Sequence, residues 1–132
     1  MTMHHGLATK NLASRLLEGS WVNQLGSELY LEADPEGAIR GTFSNHAGWG
    51  LHEACAVYGV CDPSSSGLDT VLGFVVLWPA AHTQTAWSGQ YHADDDTIRA
   101  TWLMTTETEP EDEWRATIVG QDIFTRARPT NS

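Results

Sequence analysis

Basic residues are scarce in this chain. Its 132 residues include 7 Lys+Arg against 17 Asp+Glu, a formal net charge of −10 with His neutral. That balance repels phosphate and no basic stripe offsets it, so nucleic acid is disfavoured as a partner. Long apolar runs are missing too. The longest, Val71 to Ala81, is broken by Gly73 and Pro79, short of the ~18 apolar residues that span a membrane. Cys55 and Cys61 are the 2 cysteines, and they match no zinc pattern. In an extended strand they would lie ~20 Å apart, too far for a bond between them. They read as buried free thiols, with bridges to another chain as the alternative.

Motifs of catalysis are absent as well. The chain has 6 His but no nucleophile elbow and no metal-ligand spacing. No enzyme, metal or cofactor is expected. Residues 1–17 show no compact apolar core before a small-residue cleavage site, so no secretory signal is read there. That fits an intracellular protein or a mature or engineered form. The His4-His5 pair reads as incidental or artificial. The acidic run Glu107, Glu109, Glu111, Asp112, Glu113 reads as a solvated loop.

What the chain does have is tryptophan, 6 in all, with 12 Gly. Six indoles are more than a small core ordinarily needs. The length allows one domain. Residues 1–17 are taken as a flexible tail, with a short helix through Leu7, Leu12, Leu16 and Leu17 as the alternative. From Gly19 onward, short β-branched and aromatic segments alternate with Gly, Asp, Pro and Ser clusters. Eight segments are predicted: about 19–25, 28–33, 38–45, 53–60, 69–78, 83–91, 97–106 and 113–124. Hairpinned in series, they predict an all-β fold, an eight-stranded antiparallel up-and-down barrel, whose closure removes exposed edges. A β-sandwich is the competing architecture.

Strand alternation then sorts the faces. Ile98, Ala100, Trp102 and Met104 share one face. So do Thr83, Thr85, Trp87, Gly89 and Tyr91. So do Leu72, Phe74, Val76 and Trp78, then Trp21, Asn23 and Leu25, then Ile118, Gly120, Asp122 and Phe124. The inward faces thus mix tryptophans with Asn23, Thr83, Thr85 and Asp122. Buried polar groups are costly unless paired. They satisfy one another or await a ligand, as in a small-molecule pocket. Leu103, Val119 and Ile123 face outward.

These residues carry a resemblance. Gly19-Ser20-Trp21-Val22-Asn23-Gln24-Leu25-Gly26-Ser27 resembles the first strand of the avidin/streptavidin family, nearer its bacterial streptavidin-like members. Trp87-Ser88-Gly89-Gln90-Tyr91 resembles its sixth strand. Thr101-Trp102-Leu103 and Gly120-Gln121-Asp122-Ile123-Phe124 resemble its last two. The motifs run in the family's order over roughly residues 18–128, which would form the biotin-binding barrel between tails at 1–17 and 129–132.

The resemblance implies high-affinity, non-enzymatic binding of biotin in the lumen. It implies a homo-tetramer and, by family habit, secretion. It implies that Asn23 and Ser27 donate to the ureido oxygen and that Asp122 accepts a ureido N–H. Turn chemistry is the alternative for Asn23 and Ser27, and a core carboxylate for Asp122. Trp78, Trp87 and Trp102 would wall the rings, with Leu25 and Met104 completing the lining. Thr85 would meet the sulfur and Thr83 the carboxylate, unless both are plain β-formers. Trp114 would reach into a neighbour's pocket, while Trp21 would close one barrel end.

Two positions depart from the family. Phe43 stands where a tyrosine usually gives the third donor to the ureido oxygen. Asn45 replaces a Ser/Thr, and its carbonyl could still accept a ureido N–H. The lid His46 to His52 carries Trp49, expected over the ligand's tail or against a neighbour. The remaining alternatives are a barrel for another small apolar ligand and a β-sandwich interaction or glycan-binding module.

Overall fold

In the computed structural model, residues 11–45, 54–65 and 69–127 are described. The lid with Trp49, the His4-His5 pair and the C-terminal tail lie outside them. Eight strands follow in order: β1 Gly19–Val22, β2 Glu28–Ala33, β3 Ala38–Ser44, β4 Ala54–Cys61, β5 Asp69–Trp78, β6 Thr83–His92, β7 Thr97–Thr106 and β8 Thr117–Arg126. Each pairs antiparallel with the next, and β8 returns to β1, closing a barrel. The up-and-down barrel is therefore correct and the sandwich is not.

Alternation holds wherever a strand runs on. Across the sheet, Val57, Val76, Thr85, Met104 and Ile118 are register partners, and the next inward row is Gly59, Phe74, Trp87, Trp102 and Gly120. Leu31, Ile39, Val57, Val76, Ile98 and Phe124 fill the core. Val60, Val71, Leu77, Leu103, Val119 and Ile123 point outward and are exposed.

The strand ends differ from expectation in two places. β1 stops at Val22 rather than residue 25. The Asn23 side-chain oxygen accepts from the N–H groups of Leu25 and Ser27, at 3.0 and 2.9 Å, and folds the chain into a turn. Leu25 therefore leaves the strand and is 62% exposed. The alternation that puts Leu25 on the inward face assumes an unbroken strand, and β1 ends before it. Residues 113–116 likewise fall outside β8: 113–115 belong to a 3-10 helix, Pro110–Arg115, and Ala116 is its C-cap.

One end of the barrel is stoppered. A short helix, α1 (Leu12–Leu17), is capped by Asn11, whose side chain accepts from Ser14 N–H at 2.9 Å. Leu17 and Ala13 are buried. Residues 12–17 are thus docked as a short helix carrying Leu12, Leu16 and Leu17, while Leu7 lies outside the described residues. Trp21 is fully buried below it and donates its indole N–H to the Leu17 carbonyl at 3.0 Å. The Arg126 guanidinium lies 3.8 Å from the Trp21 ring centroid. It also donates to the carbonyls of Glu18 and Leu16, at 2.6 and 2.7 Å. Asp96 completes the plug, accepting from Arg126 and from the Tyr91 hydroxyl at 3.0 and 2.8 Å.

This plug titrates. The Arg126 hydrogen bond holds the Asp96 carboxyl below its ordinary 3.8, against an opposing effect of burial. Burial, then the Asp96 bond, pushes the Tyr91 phenol up to about 12. A depressed carboxyl stabilises the fold above its unfolded value, and that contribution is lost as pH falls through the lowered native value. The raised phenol does the reverse, its contribution fading as pH climbs from 10.0 towards about 12. Asp96→Asn should lower the thermal midpoint at neutral pH and flatten its acid limb. Calorimetry from neutral to acid pH checks this.

Cys55 and Cys61 form no disulfide with each other. Cys61 is buried, and burial followed by the charges of Asp34 and Asp62 pushes its thiol up, which keeps it unreactive.

Candidate functional site

Alternate connections of an up-and-down barrel lie at the same end. The turns after β1, β5 and β7 gather opposite the Trp21 plug, so the lumen opens there. Its walls are aromatic. Phe74 stacks on Trp87 with centroids 4.9 Å apart and planes 20° off parallel. Phe43 lies 5.2 Å from Trp87 and meets Trp78 edge-on at 5.6 Å. Trp102 crosses Gly120, its register partner on β8. A Cβ at that glycine would collide with the indole, so the bare backbone is what seats the ring.

Polar groups converge at the floor of this chamber. Asp122 is only 5% exposed. Trp87 donates its indole N–H to Oδ2 at 2.8 Å, and Gln24 donates Nε2 to Oδ1 at 2.7 Å. Two donors leave a carboxylate with lone pairs to spare. Asn23, 8% exposed, spends its oxygen on the turn. Its Nδ2 donor has no protein partner among the described residues. Ser27 is buried and gives its hydroxyl to Asn45 Oδ1 at 3.2 Å. Asn45 was expected to accept from a ligand N–H, and here its oxygen already serves Ser27.

Nearer the mouth, Thr85 Oγ1 accepts from the Trp78 indole at 3.0 Å. That bond fixes both the ring and the hydroxyl. Thr83 donates to the Ala81 carbonyl at 2.8 Å and pairs with Thr106 at 3.0 Å. Each hydroxyl thus has a defined partner within the protein. Met104 is half-buried beside Thr85. It shares a depression of about 260 Å³ with Thr106, Arg115 and Ile118 at the rim.

Phe43, Trp78, Thr85, Trp87 and Asp122 are thus linked by ring contacts and hydrogen bonds. Trp102 is the register partner of Trp87 and Met104 that of Thr85. Ser27 joins Asn23 to Asn45, Thr83 joins Thr106, and Leu25 is exposed on the turn after β1. Trp114 is also outside its own lumen. It is 82% exposed on the 3-10 helix, with the Arg115 guanidinium 6.0 Å from its ring. Among the described residues no cluster of His, Cys, Asp or Glu could hold a metal, and no helix is long and apolar enough to cross a membrane.

Two contributors went unassigned in the sequence. Phe74 was placed inward but given no part in the ligand wall. Gln24 fell on the outward face of the expected strand, and no local signal marks a side chain whose partners lie 97 to 99 residues away.

The lumen has counterparts among known proteins. The family model described as the Avidin family matches residues 12–127. Avidin from Gallus gallus is 29% identical over 119 residues, covering 85% of this chain and 78% of that protein. Avidin-related proteins 3 and 7 of the same species are each 27% identical over 124 residues, with the same coverage.

Proposed function

Because this chain belongs to the avidin family, we propose that it is a non-enzymatic biotin-binding protein whose site is the barrel lumen. Biotin offers a ureido group at one end, an apolar bicycle in the middle and a carboxylate tail. The ureido carbonyl accepts from Asn23 Nδ2 and from the Ser27 hydroxyl, whose one hydrogen turns from Asn45 Oδ1 to the ligand. One ureido N–H goes to Asp122, and the other goes to Asn45 Oδ1 in place of the Ser27 hydroxyl. Trp78, Trp87, Trp102, Phe43 and Phe74 enclose the rings. Thr85 faces the sulfur, and Thr83 meets the tail with Met104 beside it.

The observation that carries this reading is the chamber floor. A buried carboxylate with spare lone pairs stands near an unpartnered amide donor, under a roof of aromatic rings. That pattern complements a cyclic urea, which both donates and accepts across a few ångströms. Titration with biotin while following tryptophan emission tests it. Saturation should change the emission and raise the thermal midpoint; no change in either overturns the reading.

Trp114 is the residue for the assembly. We assign it to a neighbouring subunit's mouth in a homo-tetramer, where its exposed indole would be covered. Val60, Val71 and Ile123 line an outer saddle of about 910 Å³ that offers a contact face. Light scattering after size exclusion checks this, a monomer being the contrary result. The biotin-binding domain spans 18–128 on this reading, with α1 as its stopper, and secretion follows the family habit.

Phe43 sets a ceiling on affinity. It is packed by both Trp78 and Trp87 and has no hydroxyl for the ureido oxygen. One neutral hydrogen bond is worth about 0.5–1.5 kcal/mol, so Phe43→Tyr should tighten biotin about two- to tenfold. The dissociation rate measures it.

A further inference from the structure

We infer that Gln24 is a positioning residue for the pocket: its side-chain amide clasps the seam between β1 and β8 and holds Asp122 in register with the Asn23–Ser27 turn. The inference rests on the lumen being the biotin site.

The seam is the shortest pairing in the barrel. Trp21 opposes Arg126 and Val22 opposes Thr125, flanked by an Ala127 N–H to Ser20 carbonyl bond at 2.8 Å. Continuing that register would set the Gln24 backbone opposite Ile123. The chain does not continue, because Asn23 pulls it into the turn closed by Gly26 at a φ of 83°. The β8 backbone at Gln121 and Ile123 thereby loses its main-chain partner.

The Gln24 amide takes the missing place. Its oxygen accepts from the Ile123 N–H at 3.0 Å, and its Nε2 donates to the Gln121 carbonyl at 3.2 Å. The second hydrogen on Nε2 goes to Asp122 Oδ1 at 2.7 Å. One primary amide thus serves as a surrogate strand residue and, with its remaining donor, orients a carboxylate. The turn bearing Asn23 and Ser27 is tied to the strand bearing Asp122, so these three of the four ureido contacts move as one body. Gln24 itself is exposed, and replacing it leaves no hole in the core.

Two variants separate the parts. Q24M removes every bond. Q24E keeps an acceptor for the Ile123 N–H but loses the donor and sets a second carboxyl against Asp122. Q24M should raise the biotin dissociation rate about tenfold, speed amide exchange at Ile123 and shift the Trp87 indole N–H resonance. Q24E should protect Ile123 yet bind weakly near neutral pH. Its binding should recover at acid pH as the introduced carboxyl takes a proton. In a D122N background Q24M should add little, since both act through one carboxylate. A wild-type dissociation rate in Q24M, additivity with D122N, or unchanged Ile123 exchange overturns the clasp. Wild-type protein that fails to bind biotin overturns the ligand reading instead, and Ile123 exchange together with the Trp87 resonance still decides whether the clasp exists.

Discussion

Asp122→Ala is expected to weaken biotin binding more than any other single change at the site, by about thirtyfold to several thousandfold. The carboxylate is buried and accepts from Trp87 and Gln24 before any ligand arrives. Truncating one member of a buried, charged hydrogen-bonded set costs about 2–5 kcal/mol, and about 1.4 kcal/mol is a factor of ten. The loss has two sources. The ligand's N–H enters the lumen with no acceptor, and the Trp87 indole N–H is left buried and unpaired. Asp122→Asn should do little better. It presents one oxygen where the carboxylate presents two, and its NH₂ would face either the Trp87 or the Gln24 donor. Isothermal titration or biotin off-rates measure the effect, and a loss under threefold in the alanine variant contradicts it.

Arg126→Ala has the largest expected effect on stability. It deletes the donors to the Glu18 and Leu16 carbonyls, the pairing with Asp96 and the cation over Trp21. Charged hydrogen bonds and a desolvated cation–π contact together suggest a cost of about 2–4 kcal/mol. The thermal midpoint should fall by roughly 10 °C. The C-terminal end of α1 should loosen, because Arg126 holds the Leu16 and Glu18 carbonyls and Trp21 alone would be left on that of Leu17. Biotin affinity at 25 °C should stay within a factor of two, since the plug and the ureido contacts are at opposite ends. Calorimetry with and without biotin checks both halves.

The sequence made the strands and their faces legible because a period of two is robust wherever a strand runs unbroken. Trp78, Trp87, Trp102 and Thr85 could be placed by counting. Counting failed at Leu25, where the Asn23 side chain ends β1 two residues after Trp21. It failed again at residues 113–116. There Pro110 at the first helical position, followed by Glu111, Asp112 and Glu113, is a legible helix start that was read only as a charged loop. α1 carried its own signal in Asn11, a good N-cap, though its docking depends on Arg126 some 110 residues away. Gln24 was beyond reach for the same reason. Its meaning lies in which backbone groups β8 leaves unpaired, and that emerges only once the barrel has closed.

The plug at Trp21, Arg126 and Asp96 also governs how freely the opposite end can change. Substitutions at well-separated sites have nearly additive effects. The contacts of the stoppered end are therefore expected to persist when residues at the mouth change. The barrel closes around Phe43 and Asn45, the two positions at which the resemblance implies a different residue. A scaffold of this kind tolerates mutational drift in its lumen. Its ligand preference can be rewritten, by selection or by design, without first rebuilding the fold.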